Sequence, residues 1–217
     1  LPIPWDDDPP GAAPLIRRNL EILLRRLIAE APDRVLPTVD LARGWHREIF
    51  AGVGLPVSYY AGEVRDDDPR YPELIGYEVR VGLHPGVAAR EVPAELSRFE
   101  DRLRRAVEIL DREVPVGTRP GEPGTLGSVV TLCAHAHGEW ARIHPFANGN
   151  GRTARLWANW CALRYGLPLF VRLRPRPEGF LYARAAADSM TGDHRAAVSL
   201  FADWLEQRLR SGSTPTP

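Results

Sequence analysis

The stretch HPFANGNGRTAR, His144 to Arg155, joins two strongly helical segments and sets how the rest of the chain must fold around it. Before it, TLGSVVTLCAHAHGEWARI (residues 125–143) puts Leu126, Val129, Val130, Cys133, His137 and Trp140 on one stripe. That segment is apolar over much of its surface, which predicts a central helix. After it, RTARLWANWCALRYG reads as a second helix, stopped by Gly166 and Pro168. Within the junction, Pro145 fixes the backbone direction just after His144. Gly149 and Gly151 permit conformations closed to bulkier residues, so that successive N–H groups can point at one place.

Working outward, APLIRRNLEILLRRLIAEA carries Leu15, Ile16, Leu20, Leu23, Leu24 and Leu27 at helical spacing, opposite an arginine-rich solvated face. A helix over roughly 38–51 starts at Thr38 or Asp40, with Leu41, Trp45 and Ile49 on one side. Another spans 93–113, where Leu96, Phe99, Leu103, Val107 and Leu110 recur. FLYARAAADSM and RAAVSLFADWLEQRLR complete the helical set. Between them, residues 55–92 are turn-rich, and GYEVRVGLHPG alternates as a short strand or hairpin does. The expected fold is all-α with one short β-hairpin, in a single domain over 14–210. Residues 1–13 and 211–217, rich in proline, aspartate and serine, read as flexible ends.

The chain has 217 residues and a formal net charge of zero, so no global field steers it toward nucleic acid or an anionic membrane. Any anion site must be local. No run of about eighteen apolar residues predicts a membrane span. Cys133 and Cys161 sit in apolar helical contexts and read as buried thiols of a reducing compartment, and cytoplasmic residence is the expectation.

At the junction itself, a helix begins immediately after the glycines, and its unpaired N–H groups and positive dipole end favour an anion. Arg152 and Arg155 lie three apart on one helix face and can each fork onto phosphate oxygens. Asn150 can add an amide donor. His144, with an intrinsic pKa near ~6.5, can take a proton from a hydroxyl at neutral pH. A base beside a phosphate cradle points to attack of a hydroxyl on phosphorus. The loop is not of the Walker type, since no Gly-Lys-Ser/Thr follows.

These residues resemble the signature of the Fic (Fic/Doc) domain family, H-x-F-x-(D or E)-G-N-G-R-x-x-R, at His144, Phe146, Gly149, Asn150, Gly151, Arg152 and Arg155. YYAGEVR at 59–65 is similar to the family's upstream WAGxxR segment, and YEVRVGLHPG stands where its flap is expected. The likeness extends over roughly residues 35–206. It implies a helical fold with the flap over the site, and transfer of AMP from Mg²⁺-ATP to a hydroxyl of a protein target docked at the hairpin near 77–92. By the same resemblance His144 is the base, and Asn150 with the Gly149–Gly151 backbone holds the α- and β-phosphates. Arg152 and Arg155 neutralise the departing pyrophosphate.

One position departs from the signature: the family's acidic magnesium ligand is Asn148 here. An amide oxygen offers a dipole where a carboxylate offers a charge. Opposite unit charges ~4 Å apart interact by about 4 kcal/mol at an effective dielectric of ~20, an upper guide to the loss. Weaker Mg²⁺ dependence or slower turnover is expected. The departure also keeps a catalytically impaired nucleotide-binding module in view, as it does transfer of a phosphoryl or UMP group. The family's inhibitory pattern, (S or T)-x-x-x-E-(G or N), has no match; TRPGEP (Thr118–Pro123) ends in proline. Restraint is therefore expected from a separate antitoxin-like partner or from residues outside this chain. Arg172, Arg174 and Arg176 form either a docking rim or a solvated loop. His137 reads as a core histidine, Tyr182 as either a pocket wall or helix packing, Asp66–Asp68 as a polar turn, and Glu63 and Arg65 as outer candidates.

Overall fold

The computed structural model describes residues 2–212. Among them are seven α-helices: α1 (Ala13–Glu30), α2 (Val39–Ile49), α3 (Val92–Glu113), α4 (Pro123–Ile143), α5 (Asn150–Arg164), α6 (Phe180–Met190) and α7 (Arg195–Ser211). The one sheet among these residues is a hairpin, β1 (Arg80–Val81) and β2 (His84–Pro85), with Arg80 opposite Pro85 and Val81 opposite His84. The fold is all-α with that hairpin, as the periodicity predicts.

Helix α1 buries Ile16, Leu20, Leu23, Leu24 and Leu27 of the stripe read from the sequence, with Leu15 half-buried at its edge. Thr38 decides the start of α2: its side chain accepts from the Leu41 amide at 3.2 Å, a normal N-cap. Helix α5 is different from the rest. It is buried around nearly its whole circumference, and α4 packs along it as the second central helix. Trp157 of α5 is the hub, with Trp45, Phe99 and Trp140 at ring distances of 4.8, 5.4 and 5.8 Å. Trp140 Nε1 donates to Thr153 Oγ1 at 2.8 Å, which ties α4 to α5 across the core. Asn159, also buried, satisfies the backbone of the extended segment that follows: it donates to Val171 O and accepts from the Phe170 and Val171 amides. The two cysteines are free and buried, and no helix of the described residues is long and apolar enough to cross a membrane.

The amino-terminal segment corrects one expectation. Trp5 is buried against Phe50 and Tyr60, and Tyr60 Oη exchanges hydrogen bonds with the backbone of Ile3, so this stretch is packed rather than loose. At the other end α7 runs to Ser211, and residues 213–217 of the expected flexible tail lie outside the described residues.

Truncating the hub should be costly. Trp157→Ala is expected to lower the unfolding free energy by about 3–5 kcal/mol, read as a shift of the urea midpoint. Ile22→Ala, on the exposed face of α1, should stay within about 0.5 kcal/mol.

Candidate active site

The motif turn starts where α4 ends. His144 adopts a left-handed conformation (φ 53°, ψ 56°) and its amide donates back to Trp140 O, which closes the helix. Its Nδ1 lies 2.9 Å from Ala141 O. A carbonyl only accepts, so the proton sits on Nδ1 and the lone pair on Nε2. Nε2 has no hydrogen-bond partner among the described residues. Burial pushes the His144 pKa down to about 4, the Ala141 bond opposing and Arg65 adding to the fall. The ring is therefore neutral at pH 7.

Two devices hold the turn. Asn150 closes it from within: its Oδ1 accepts from the Phe146 amide at 2.8 Å and its Nδ2 donates to Phe146 O at 2.9 Å. The Oδ1 and one Nδ2–H of the side chain expected to donate into the cradle are thus used to hold the loop, and the Asn150 backbone amide has no acceptor among the described residues. Arg65 clamps it from outside. Fully buried, it donates to the carbonyls of His144, Ile143, Tyr77 and Val87, and its own amide donates to Pro145 O. Read from sequence as an outer candidate, Arg65 is the brace joining the motif to the base of the hairpin. Gly86 completes that contact, since a Cβ there would stand 3.1 Å from His144 Cβ.

Gly149 turns the chain into α5 with φ 77°, and a Cβ on it would lie 2.7 Å from both His46 Nε2 and Phe50 Cε2. His46 stacks on Phe146 at 3.9 Å; its Nδ1 accepts from the Gly62 amide, so Nε2 carries the proton and donates to Asn148 O. Burial lowers its pKa to about 3. Sequence reading missed His46, because a histidine beside Trp45 on an apolar stripe looks like packing.

The first turn of α5 leaves the amides of Asn150 and Gly151 without acceptors among the described residues; those of Arg152 and Thr153 fold back on Gly149 O, and that of Gly149 is taken by Asn148 Oδ1. Arg155, buried, donates to Leu173 O and Tyr182 Oη, has an unpartnered Nε, and lies within ion-pair reach of no carboxylate among the described residues. Arg152 Nη1 donates to the backbone oxygen and Oδ2 of Asp7 at 2.9 and 2.7 Å. Asn148 Nδ2 donates to Trp5 O at 2.7 Å.

These groups line one cleft of about 560 Å³, with His144, Arg174, Arg176, Tyr182 and the hairpin turn at Gly82 on its walls. That volume suits a nucleotide-sized ligand. Arg174 and Arg176 face the cleft, whereas Arg172 is exposed elsewhere and caps Arg176 O. Tyr182 is a wall of the cleft, held by Arg155 and by His137 Nε2 at 3.2 Å. His137 is a core histidine whose Nδ1 has no partner, and burial lowers its pKa to about 3. Glu63 pairs with Arg43 and Arg47, and Asp66–Asp68 form a turn closed on their own amides and Arg70. A second groove, about 590 Å³ between α3 and α4, is lined mainly by apolar side chains and none of the motif reaches it.

The depressed histidines predict acid sensitivity. Below about pH 6.5 the unfolded chain holds a proton on His46 and on His137 that the folded chain refuses until about pH 3. Their contribution to stability is complete above 6.5. It is lost as pH falls, by up to about 1.4 kcal/mol per unit for each ring. Urea unfolding at pH 7.5 and 5.5 measures this, and His137→Gln should remove one ring's share of the slope.

Comparison with known proteins finds relatives in sequence and in fold. The model of the Fic/DOC family matches residues 36–162. A protein adenylyltransferase Fic from Culex quinquefasciatus is 31% identical over 133 residues, 61% of this chain and 23% of the relative. Its counterpart from Aedes aegypti is 37% identical over 81 residues, 37% of this chain and 16% of the relative. The chain thus spans less than a quarter of the length of either. Among solved structures, a Fic domain containing signaling protein from Bacteroides thetaiotaomicron superposes with a TM-score of 0.53 at 20% identity, covering 88% of this chain and 65% of that one. The N-terminal Fic domain of Bep8 from Bartonella sp. 1-1C gives 0.55 at 17%, covering 88% and 83%; at such identities the likeness is one of fold. With the family model matched over more than half of its length and the signature turn formed between α4 and α5, the chain belongs to the Fic/DOC family.

Proposed function

We propose that this chain is a protein adenylyltransferase, moving AMP from ATP to a hydroxyl side chain of a protein target. The observation that carries the reading is Arg155, a buried guanidinium with a free Nε and no carboxylate partner among the described residues. It opens on the same cleft as the unpartnered amides of Asn150 and Gly151 and the lone pair of His144. A buried cation without a counter-ion is costly, and a polyphosphate relieves that cost while reaching the amides as well. The names of the curated relatives support the same chemistry.

In the proposed step the target oxygen bonds to the α-phosphorus while the bond from that phosphorus to the bridging oxygen of the β-phosphate breaks. The hydroxyl proton passes to His144 Nε2 and pyrophosphate leaves with the electron pair. Arg152 and Arg155 stabilise charge that builds on the leaving group. The target docks at the hairpin, whose tip residue Leu83 is 92% exposed. Mg²⁺, arriving with ATP, would neutralise phosphate charge. Asn148 Oδ1 already accepts the Gly149 amide, and no cluster of three His, Cys, Asp or Glu that could hold an ion exists among the described residues. The residues fit an ion carried by the nucleotide, with Asn148 as a neutral ligand at most.

The second reading, a nucleotide-binding module without transfer, is favoured by Asn148 being engaged on both sides, by Gly149 and by Trp5. ATP labelled at the α-phosphate separates the two. Label should enter protein in a lysate, and His144→Ala should slow this by about 10²–10⁴-fold. Binding without any transfer of label would leave the module, and label arriving only from the γ-phosphate would mean phosphoryl transfer. The acid limb of kcat/KM should fall near pH 4, where the His144 ring protonates, since the base is active above that value. A limb near 6.5 would mean a solvent-exposed imidazole instead.

A further inference from the structure

We propose that the amino-terminal segment Trp5–Asp8 is an intramolecular occupant of the anion site, with its carboxylates standing where nucleotide phosphates bind and Asn148 as its latch. The inference rests on the reading of the Arg152–Arg155 cleft as a phosphate site.

Three contacts carry it. The Trp5 indole is the anchor, buried with its ring 4.8 Å from Phe50 and 5.7 Å from His46, directly behind the motif turn. Asn148 Nδ2 then donates to Trp5 O, which fixes the backbone at the mouth of the cleft. From there Asp7 covers Arg152 through both its backbone oxygen and Oδ2, while Asp8 lies 2.9 Å from Arg174 and 3.8 Å from Arg152. Two carboxylates therefore bridge two guanidiniums that face the cleft, an arrangement that a diphosphate unit reproduces with more charge. Arg155 has no carboxylate partner and the Asn150 and Gly151 amides have no acceptor among the described residues, so the segment blocks one end of the site and leaves the other as an entry point.

The same contacts give Asn148 a physical role. A carboxylate at position 148 has no N–H to offer Trp5 O, and it would place a negative charge beside that carbonyl and near two aspartates. An acidic residue here and a docked segment are incompatible, whereas an amide donates to Trp5 and accepts from Gly149 at once. The segment is also built to be displaced. Asp8 is 43% exposed and its ion pair is correspondingly weak, and the Pro9-Pro10-Gly11 stretch separates it from α1, with Gly11 at φ 84°. Release leaves the Trp5 anchor in place and moves only the aspartates. A triphosphate competes for the same guanidiniums, so the segment acts on affinity for the nucleotide rather than on the chemical step.

The test compares the whole chain with the Asp7→Asn, Asp8→Asn double variant, titrating metal-free ATP and inorganic tripolyphosphate by calorimetry. The double variant should bind both about tenfold more tightly, because the competent state is no longer shared with the docked one. In the unaltered chain, either ligand should protect the amides of Asn150 and Gly151 from hydrogen exchange. Equal affinity for the two proteins overturns the inference while leaving the phosphate site standing. Weaker binding by the double variant overturns it too, since the aspartates would then be helping to hold the ligand. If neither protein binds ATP or tripolyphosphate, the functional reading itself falls, and Arg152→Ala serves as the reference for a lost site.

Discussion

At Gly149 the chain leaves the motif loop with φ 77° while its α-carbon is pressed against His46 and Phe50, and any side chain there would overlap both rings. That close approach sets the position of everything downstream. It lets His46 stack on Phe146 and donate to Asn148 O, which in turn orients the first turn of α5. A bulkier residue would force α5 away from α2, and α5 is the helix around which the aromatic core is packed. The turn is thus held by packing at its back, and its front can keep two amides unpaired without losing its shape.

The three buried arginines around the turn show how one residue type takes different roles. Arg65 donates to neutral acceptors, the carbonyls of the motif and the hairpin base, with Glu78 3.9 Å away as its ion partner, and burial lowers its pKa to about 10. It is an internal brace. Arg152 meets carboxylates from the amino-terminal segment. Arg155 meets only a carbonyl and a phenol. Of the three, Arg155 is the buried cation without an anion among the described residues, the costliest arrangement. The neutral state of His144 belongs to the same design, because a charged imidazole near these guanidiniums would add repulsion.

Docking of an acidic segment on Arg152 and the amide at position 148 belong together physically. Seen only from the signature, Asn148 is a lost charge. Seen with Trp5 O at 2.7 Å, it is a donor that no carboxylate can replace.

Much of this protein was legible from residue order alone. The helical stripes of Leu20, Leu24 and Leu27, of Phe99 and Leu103, and of Val130 and Trp140 encode faces that bury themselves, because periodicity is a local property of the chain. The glycines of HPFANGNGRTAR likewise declare the turn between α4 and α5, since their backbone freedom is intrinsic. What residue order could not disclose is which partners those groups meet. Arg65 reads as an outer candidate until Tyr77, Val87 and His144 converge on it, and nothing in the order of residues shows that the Asn150 side chain bonds both backbone groups of Phe146. The segment WDDDPPG reads as a loose terminus because its composition is polar and broken by proline. Only the fold brings it across some 140 positions of sequence to Asn148 and Arg152. Such contacts depend on geometry between distant elements, and tertiary packing alone decides them.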